Sequence, residues 1–367
     1  MPTPVIAPRL IALDMDGTLL NEEGHVSPRT LAALHAAHRA GIEIVVATGR
    51  RHAYAMRILR PLGLHHALAL ISSNGTVTRT LGSATEPTQL LARTHLPLPT
   101  ALWLCDHIRG EGDLNFRNAL VLTFDRVGPD GEDTRGALVV EHLAELHASI
   151  GRWMEVNEPY IAHVVPIESA LKPHPDLALN GDPANHHAPI QAMLCGTLDR
   201  MTHAEARLLQ HPGVSASGHP SGRSGTSSQS GPPDSRPTST AVIPTEAQRA
   251  ERRDPRICPS SDPQSLLTLH RTEYPARNLS ILDILPANCS KGAALLALAA
   301  ARNIPPTRIM AIGDNWNDVS MLEAAAHPIL MANAPDDLRA LALTRNWPIT
   351  PSNRADGVAL AIESALT

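Results

Sequence analysis

"LIALDMDGTLL" occupies residues 10–20, and its reading decides the fold. An apolar run ends abruptly at two aspartates, Asp14 and Asp16, with only Met15 between them. Such a short continuous run suits a strand buried on both faces of a parallel sheet. Carboxylates at the edge of a core cost desolvation energy unless something there needs them.

Outward from this stretch the chain alternates in type. "VSPRTLAALHAAHRAG" (26–41) predicts a helix, with Ser27 as N-cap, Pro28 at the first helical position and Gly41 at the close. "IEIVVATG" (42–49) is a second buried strand, "RHAYAMRILRPLG" (51–63) a second helix, and "HHALALISSNG" (65–75) a third strand. The rhythm resumes late in the chain. "SKGAALLALAAARN" (290–303) predicts a helix capped by Ser290, "RIMAIGD" (308–314) a strand, "DVSMLEAAA" (318–326) a helix and "HPILMAN" (327–333) a strand. Two more helices follow, "APDDLRALAL" (334–343) and "GVALAIESAL" (357–366). This order implies an α/β fold with a doubly wound, Rossmann-like parallel sheet.

Residues 85–287 break the pattern. Strands are predicted in "ALVLTFDRVG" (119–128), "GALVVEHL" (136–143), "IQAMLCG" (190–196), "SLLTLHRTEY" (265–274) and "LSILDIL" (279–285), with a helix at "THAEARLLQ" (202–210). The chain is therefore read as a core of 1–84 plus 288–367, interrupted by an α+β cap domain at 85–287. Within that cap, 211–263 is dominated by Ser, Pro and Gly and predicts disorder. Its charged end, "PTEAQRAERRDPR" (244–256), reads as a solvated charge run.

The chain has 367 residues, of which 43% are hydrophobic, so it can bury a sizeable core. Aromatic residues make up only 2%, and the formal net charge is −5, which argues against a nucleic-acid partner. Cys105, Cys195, Cys258 and Cys289 lie far apart without a C-x-x-C pair, so neither a disulfide framework nor a zinc site is expected. "MPTPVIAPRL" lacks the apolar stretch of a leader, and no apolar run is long enough to cross a membrane. The expectation is a cytoplasmic protein of undetermined oligomeric state.

Three predicted strands end in short polar side chains: Asp14, Thr48 and Asp314. In an open parallel sheet, strand C-termini converge on one crevice, where ligands bind. The last strand runs into "GDNWND", with Asp314, Asn317 and Asp318. Crowded carboxylates need a cation, and hard oxygen ligands suit Mg²⁺. A metal held by Asp14 and Asp314 attracts phosphate, which Thr48, the backbone near Gly49 and Lys291 can contact. The set fits phosphoryl transfer, where positioning and charge neutralisation carry most of the catalysis. Asp14, ionised at neutral pH, needs no base to attack phosphorus, and Asp16 can move the proton.

With these residues in view, the sequence resembles the haloacid dehalogenase superfamily, and its Cof-type sugar-phosphatase branch in particular. "DMDGT" (14–18), "VVATGR" (45–50), "SKG" (290–292) and "GDNWND" (313–318) match the four motifs in order, and the likeness covers about 1–80 and 286–367. It implies Mg²⁺ held by Asp14, the backbone carbonyl of Asp16 and Asp314, with Asp318 supporting the metal shell. It further implies phosphate contacts from Thr48, Gly49, Lys291 and Asn317, and an α/β cap inserted after the third strand. Asp at position 16 favours phosphate esters over the relatives that lack it. The expected activity is hydrolysis of a small phosphomonoester through an aspartyl-phosphate. The rivals are a phosphosugar mutase on the same core and a non-catalytic interaction protein.

Other residues have plainer readings. Asn74 and Gly75 shape the end of the third strand, and Arg50 anchors its loop. Asp106, Asp125, His186 and His187 read as solvated cap positions, with a histidine facing substrate as the alternative for the last two. Cys289 reads as a packed thiol rather than a reactive one. "DMDG" fails as a calcium loop because its twelfth position is His25 rather than Glu.

Overall fold

The computed structural model describes residues 7–63, 68–82, 88–128, 131–172, 188–216 and 265–367. The chain builds two sheets. The first opens with β1 (Leu10–Asp14), β2 (Glu43–Ala47), β3 (Leu68–Ser72), β4 (Val77–Thr80) and β5 (Leu90–Arg93). The second holds β6 (Leu120–Thr123), β7 (Leu138–Val140), β8 (Ile161–His163), β9 (Gln191–Gly196), β10 (Val214–Ala216), β11 (Leu267–Tyr274) and β12 (Leu279–Pro286). The chain then returns to the first sheet with β13 (Ile309–Gly313), β14 (His327–Met331) and β15 (Ile349–Thr350).

The first sheet has the order β15-β14-β13-β1-β2-β3-β4-β5. Its first six strands run parallel, and β4 and β5 add an antiparallel hairpin. Alternate residues of each central strand enter different cores. Ile11, Leu13, Ile44, Val46 and Ile312 face one cluster, while Leu10, Ala12, Val45, Ala47 and Ile309 face the other. Both faces are therefore covered, which is why these strands read as unbroken apolar runs.

Helices α1 (Pro28–Arg39) and α2 (His52–Leu59) follow β1 and β2. Ser27 caps α1 by accepting the Thr30 N–H at 3.1 Å, with Pro28 in the first turn as its sequence indicates. Helices α3 (Leu98–His107), α4 (Leu143–Asn157) and α5 (Leu198–Leu208) belong to the second sheet. Helices α6 (Lys291–Ala301), α7 (Val319–Ala324), α8 (Asp336–Thr344) and α9 (Gly357–Leu366) complete the first. Ser290 caps α6 through the Ala293 N–H at 3.1 Å.

The second sheet has the order β10-β11-β12-β9-β6-β7-β8. One face packs with α3 and α5 around Leu104, Leu122, Leu194, Met201 and Ile284. Part of the other face packs on α4 through Val121, Val140, Leu146, Ile150 and Cys195. Two differences from the sequence reading concern edges. β5 lies beyond residue 84 yet pairs with β4 in the first sheet. β10 lies inside the expected insert yet pairs in parallel with β11. Both edge strands are short and partly exposed, so no apolar run announces them. The remainder of the 211–263 insert, with its charged end, lies outside the described residues, as do His186, His187 and Cys258. Among the described residues, no helix is long and apolar enough to cross a membrane.

Candidate active site

The strand parity that buries Leu10 and Ala12 also turns Asp14 toward the start of α6. Met15, of opposite parity, is fully buried in the other core, and Asp16 emerges exposed. The spacing thus separates two carboxylates into different environments. Gly17 follows at φ +81°, where a Cβ would come within 2.2 Å of an Asp314 carboxylate oxygen. Only glycine lets this turn approach Asp314 so closely.

Lys291 opens α6 and is fully buried. Its Nζ donates to Asp14 Oδ1 at 2.6 Å and to Asp318 Oδ1 at 2.7 Å. Burial alone would discharge this lysine, but the two carboxylates outweigh it and hold the ammonium more firmly than usual. Asp318 Oδ2 accepts the backbone N–H groups of Asp314 and Asn315, each at 3.0 Å. Both oxygens of Asp318 are therefore engaged in shaping the loop after β13.

Asp314 completes the acidic group. Thr18 Oγ1 donates to its Oδ1 at 2.8 Å, and Asn333 Nδ2 reaches its Oδ2 at 3.3 Å. Asn333 also donates to the Gly17 carbonyl at 2.8 Å. Asp14, Asp314 and Asp318 can each offer an oxygen such that all three lie within 4.8 Å of one another. Burial and the neighbouring Asp318 push Asp14 well above the usual carboxylate range and Asp314 up to about 7. A hard divalent cation would relieve that repulsion, and an all-oxygen donor set fits Mg²⁺.

Thr48 is buried just past the end of β2, and its Oγ1 accepts the Arg50 N–H at 3.1 Å. Arg50 grips both oxygens of Asp16, with its Nε at 2.6 Å from Oδ2, and lies over the Tyr54 ring at 4.2 Å. Arg50 does anchor its loop, and its anchor is Asp16. The half-buried Asn317 lies in the turn Trp316–Asp318, and β11 of the second sheet runs alongside that turn. Asp14, Asp318 and Lys291 are joined directly, Asp314 adjoins them, and Asp16 lies apart with Arg50.

Several partners were not singled out in the sequence. Asn333 lies just beyond β14, so the rule of converging strand ends could have found it. Asp125 is a correction: its side chain is almost wholly buried and takes hydrogen bonds from Arg79 at 2.6 Å and Arg93 at 3.0 Å. A lone Asp in "TFDRVG" carries no signal that arginines from two other strands will reach it. Asp106 is exposed as expected, although on α3 rather than in a loop. Cys289 is buried.

The model of the haloacid dehalogenase-like hydrolases matches residues 11–107 and 268–362, just over half of the chain. A 5-amino-6-(5-phospho-D-ribitylamino)uracil phosphatase of Bacillus subtilis is 25% identical over 98% of each chain. Another B. subtilis phosphatase is 51% identical, over 19% of this chain and 24% of its own length. Among solved structures, a haloacid dehalogenase-like hydrolase from B. subtilis superposes with a TM-score of 0.61 at 22% identity, over 97% of this chain and 99% of that one.

Proposed function

We propose, from the premise that this chain belongs to the haloacid dehalogenase-like hydrolases and is a phosphatase of that family, that it hydrolyses a small phosphorylated metabolite with Asp14 as nucleophile and Mg²⁺ as cofactor. The observation that carries this reading is the bond from buried Lys291 to Asp14 beside the Asp314 carboxylate. Lys291 occupies Oδ1, which leaves Oδ2 as the attacking oxygen.

In the first step, an Asp14 oxygen forms a bond to phosphorus as the bond to the leaving oxygen breaks. Asp16, released from Arg50 and in its protonated form, supplies the proton that the leaving oxygen takes and is left as the carboxylate. In the second step, Asp16 removes a proton from the attacking water, phosphate departs and Asp14 is regenerated. Asp14, Asp314 and the Asp16 carbonyl would hold Mg²⁺, which supplies charge neutralisation at the transferring phosphoryl group. Asp318, with both oxygens engaged, orients Lys291 and the loop rather than leading the metal set. Thr48, Gly49, Lys291 and Asn317 are assigned to the phosphate.

The substrate class is supported by the phosphorylated metabolite named for the B. subtilis relative, which matches over 98% of its length. A cytoplasmic setting is consistent with the free thiols of Cys105, Cys195 and Cys289. The test is Asp14→Asn, assayed on an aryl phosphate with and without Mg²⁺. Wild-type turnover is expected to need the metal, and the variant to lose at least about a thousandfold in kcat. Robust metal-dependent turnover by the variant would remove the covalent role. Stoichiometric release of free phosphate would separate hydrolysis from a mutase.

A further inference from the structure

One buried polar cluster takes no part in the chemistry above, yet it joins the two sheets beside the phosphate turn. Asn74 follows β3 in a left-handed conformation, φ 54° and ψ 29°, and is 2% exposed. Its backbone N–H donates to the Thr48 carbonyl at 3.0 Å, and the preceding Ser73 N–H donates to the Arg50 carbonyl at 2.9 Å. The turn after β3 is thereby zipped to the turn after β2. A Cβ placed on Gly49 would lie 3.0 Å from Asn74 Oδ1, so the side chain also abuts that turn.

The other end of the Asn74 amide leaves the first sheet. Nδ2 donates at 3.0 Å to Asp283 Oδ2, on β12 of the second sheet. Asp283 Oδ1 takes Gln191 Nε2, from β9, at 2.5 Å. Two amide donors converge here on one side chain. One donor sits on each carboxyl oxygen, and an ionised carboxylate accepts through both. Among the described residues, no cation is seen bonded to it, and Lys291 acts on it only through space. His270, its cross-strand partner on β11, is held neutral by burial and by Lys291, and Lys291 bonds Asp14 and Asp318. A buried carboxylate kept at this cost, where two sheets meet beside Thr48, indicates a constraint on geometry rather than a contribution to stability.

We propose that Asn74 and Asp283 are positioning residues for phosphate binding: Asp283, carried by the cap, holds the Asn74 amide and so fixes the Thr48–Gly49 turn that receives the phosphate. The inference rests on the phosphatase reading and on Thr48 and Gly49 as phosphate contacts.

The test compares wild-type enzyme with Asn74→Gly, Asp283→Ala and the double variant, each loaded with Mg²⁺. Glycine tolerates the left-handed backbone, so Asn74→Gly removes the amide without straining the turn. The readouts are KM and kcat for an aryl phosphate and the inhibition constant of inorganic phosphate. Each single variant is expected to raise KM and the inhibition constant about tenfold with kcat little changed, and the double variant to go no further than either single. Destabilisation alone would reduce the amount of active enzyme and leave the inhibition constant where it was. An unchanged inhibition constant in either single variant, or effects that multiply in the double, overturns the proposal. Should Asp283→Ala fail to fold, Asp283→Asn keeps the shape, presents one acceptor instead of two, and is read the same way. Wild-type enzyme that neither turns over aryl phosphate nor binds inorganic phosphate would instead bring down the phosphatase reading.

Discussion

The two sheets place their polar residues differently. In the first, polar side chains gather at strand ends: Asp14 closing β1, Thr48 after β2, Asp314 after β13 and Asn333 after β14. Parallel strands aim their C-termini the same way, so residues hundreds of positions apart meet without any local signal. In the second, the polar residues sit on a strand face. Gln191, Asp283 and His270 lie on β9, β12 and β11, and antiparallel pairing brings the last two side by side. The first arrangement concentrates charge at one place. The second spreads hydrogen-bonding groups over a surface that can meet another surface.

The strand-end cluster is most vulnerable at Lys291, the cation that Asp14 and Asp318 share. Lys291→Met leaves Asp14 and Asp318 buried and uncompensated. Stability in urea is expected to fall by about 3–5 kcal/mol. Turnover of an aryl phosphate should fall at least about a hundredfold. A variant as stable and as active as wild type would mean that the charge cluster is not held together by this lysine.

A smaller effect tests the second sheet. Burial pushes Asp283 up to about 6, against the hydrogen bonds from Gln191 and Asn74. An unfolded aspartate titrates near 3.9. Between these values the folded state binds more protons than the unfolded one, so this group makes the protein less stable as pH rises from about 4 to about 6. The loss amounts to about 3 kcal/mol and is complete above the folded value. Urea denaturation of wild type and Asp283→Asn at both ends of that window should show the variant gaining on wild type by about that amount. A pH-independent gap would mean that Asp283 is not strained by its charge.

Next in size is the bridge between the sheets at α2. Arg51 pairs with the nearly buried Asp133 and with Asn157. Arg51→Ala should cost about 1.5–3 kcal/mol, measured by the same denaturation, because Asp133 loses its partner inside the protein. The exposed pair Arg354 with Glu22 is the counterpart in water. Arg354→Ala should change stability by less than about 0.5 kcal/mol. Equal costs at the two sites would erase the distinction between contacts that join the sheets and contacts that decorate the surface.

The core was largely legible in the sequence for a physical reason. A strand buried on both faces must be continuously apolar, so β1, β2, β3 and β13 stand out. Their caps and ends were readable because Ser27 and Ser290 cap through local hydrogen bonds. β5 and β10 were not legible, since short, partly exposed edges carry neither an apolar run nor a strict alternation. Asp125 was misread because burial of a lone carboxylate depends on arginines from β4 and β5 that sequence does not connect to it.

The sequence by itself determined the doubly wound sheet and the polar residues that close its strands, because apolar runs and strand-end polar residues are local properties. Tertiary structure alone decided which of those residues meet. Lys291 faces Asp14 and Asp318, Arg50 takes Asp16, Asn333 joins Asp314, and Asp283 reaches across to Asn74. Those pairings arise where strands distant in sequence become neighbours, and no window along the chain contains both partners.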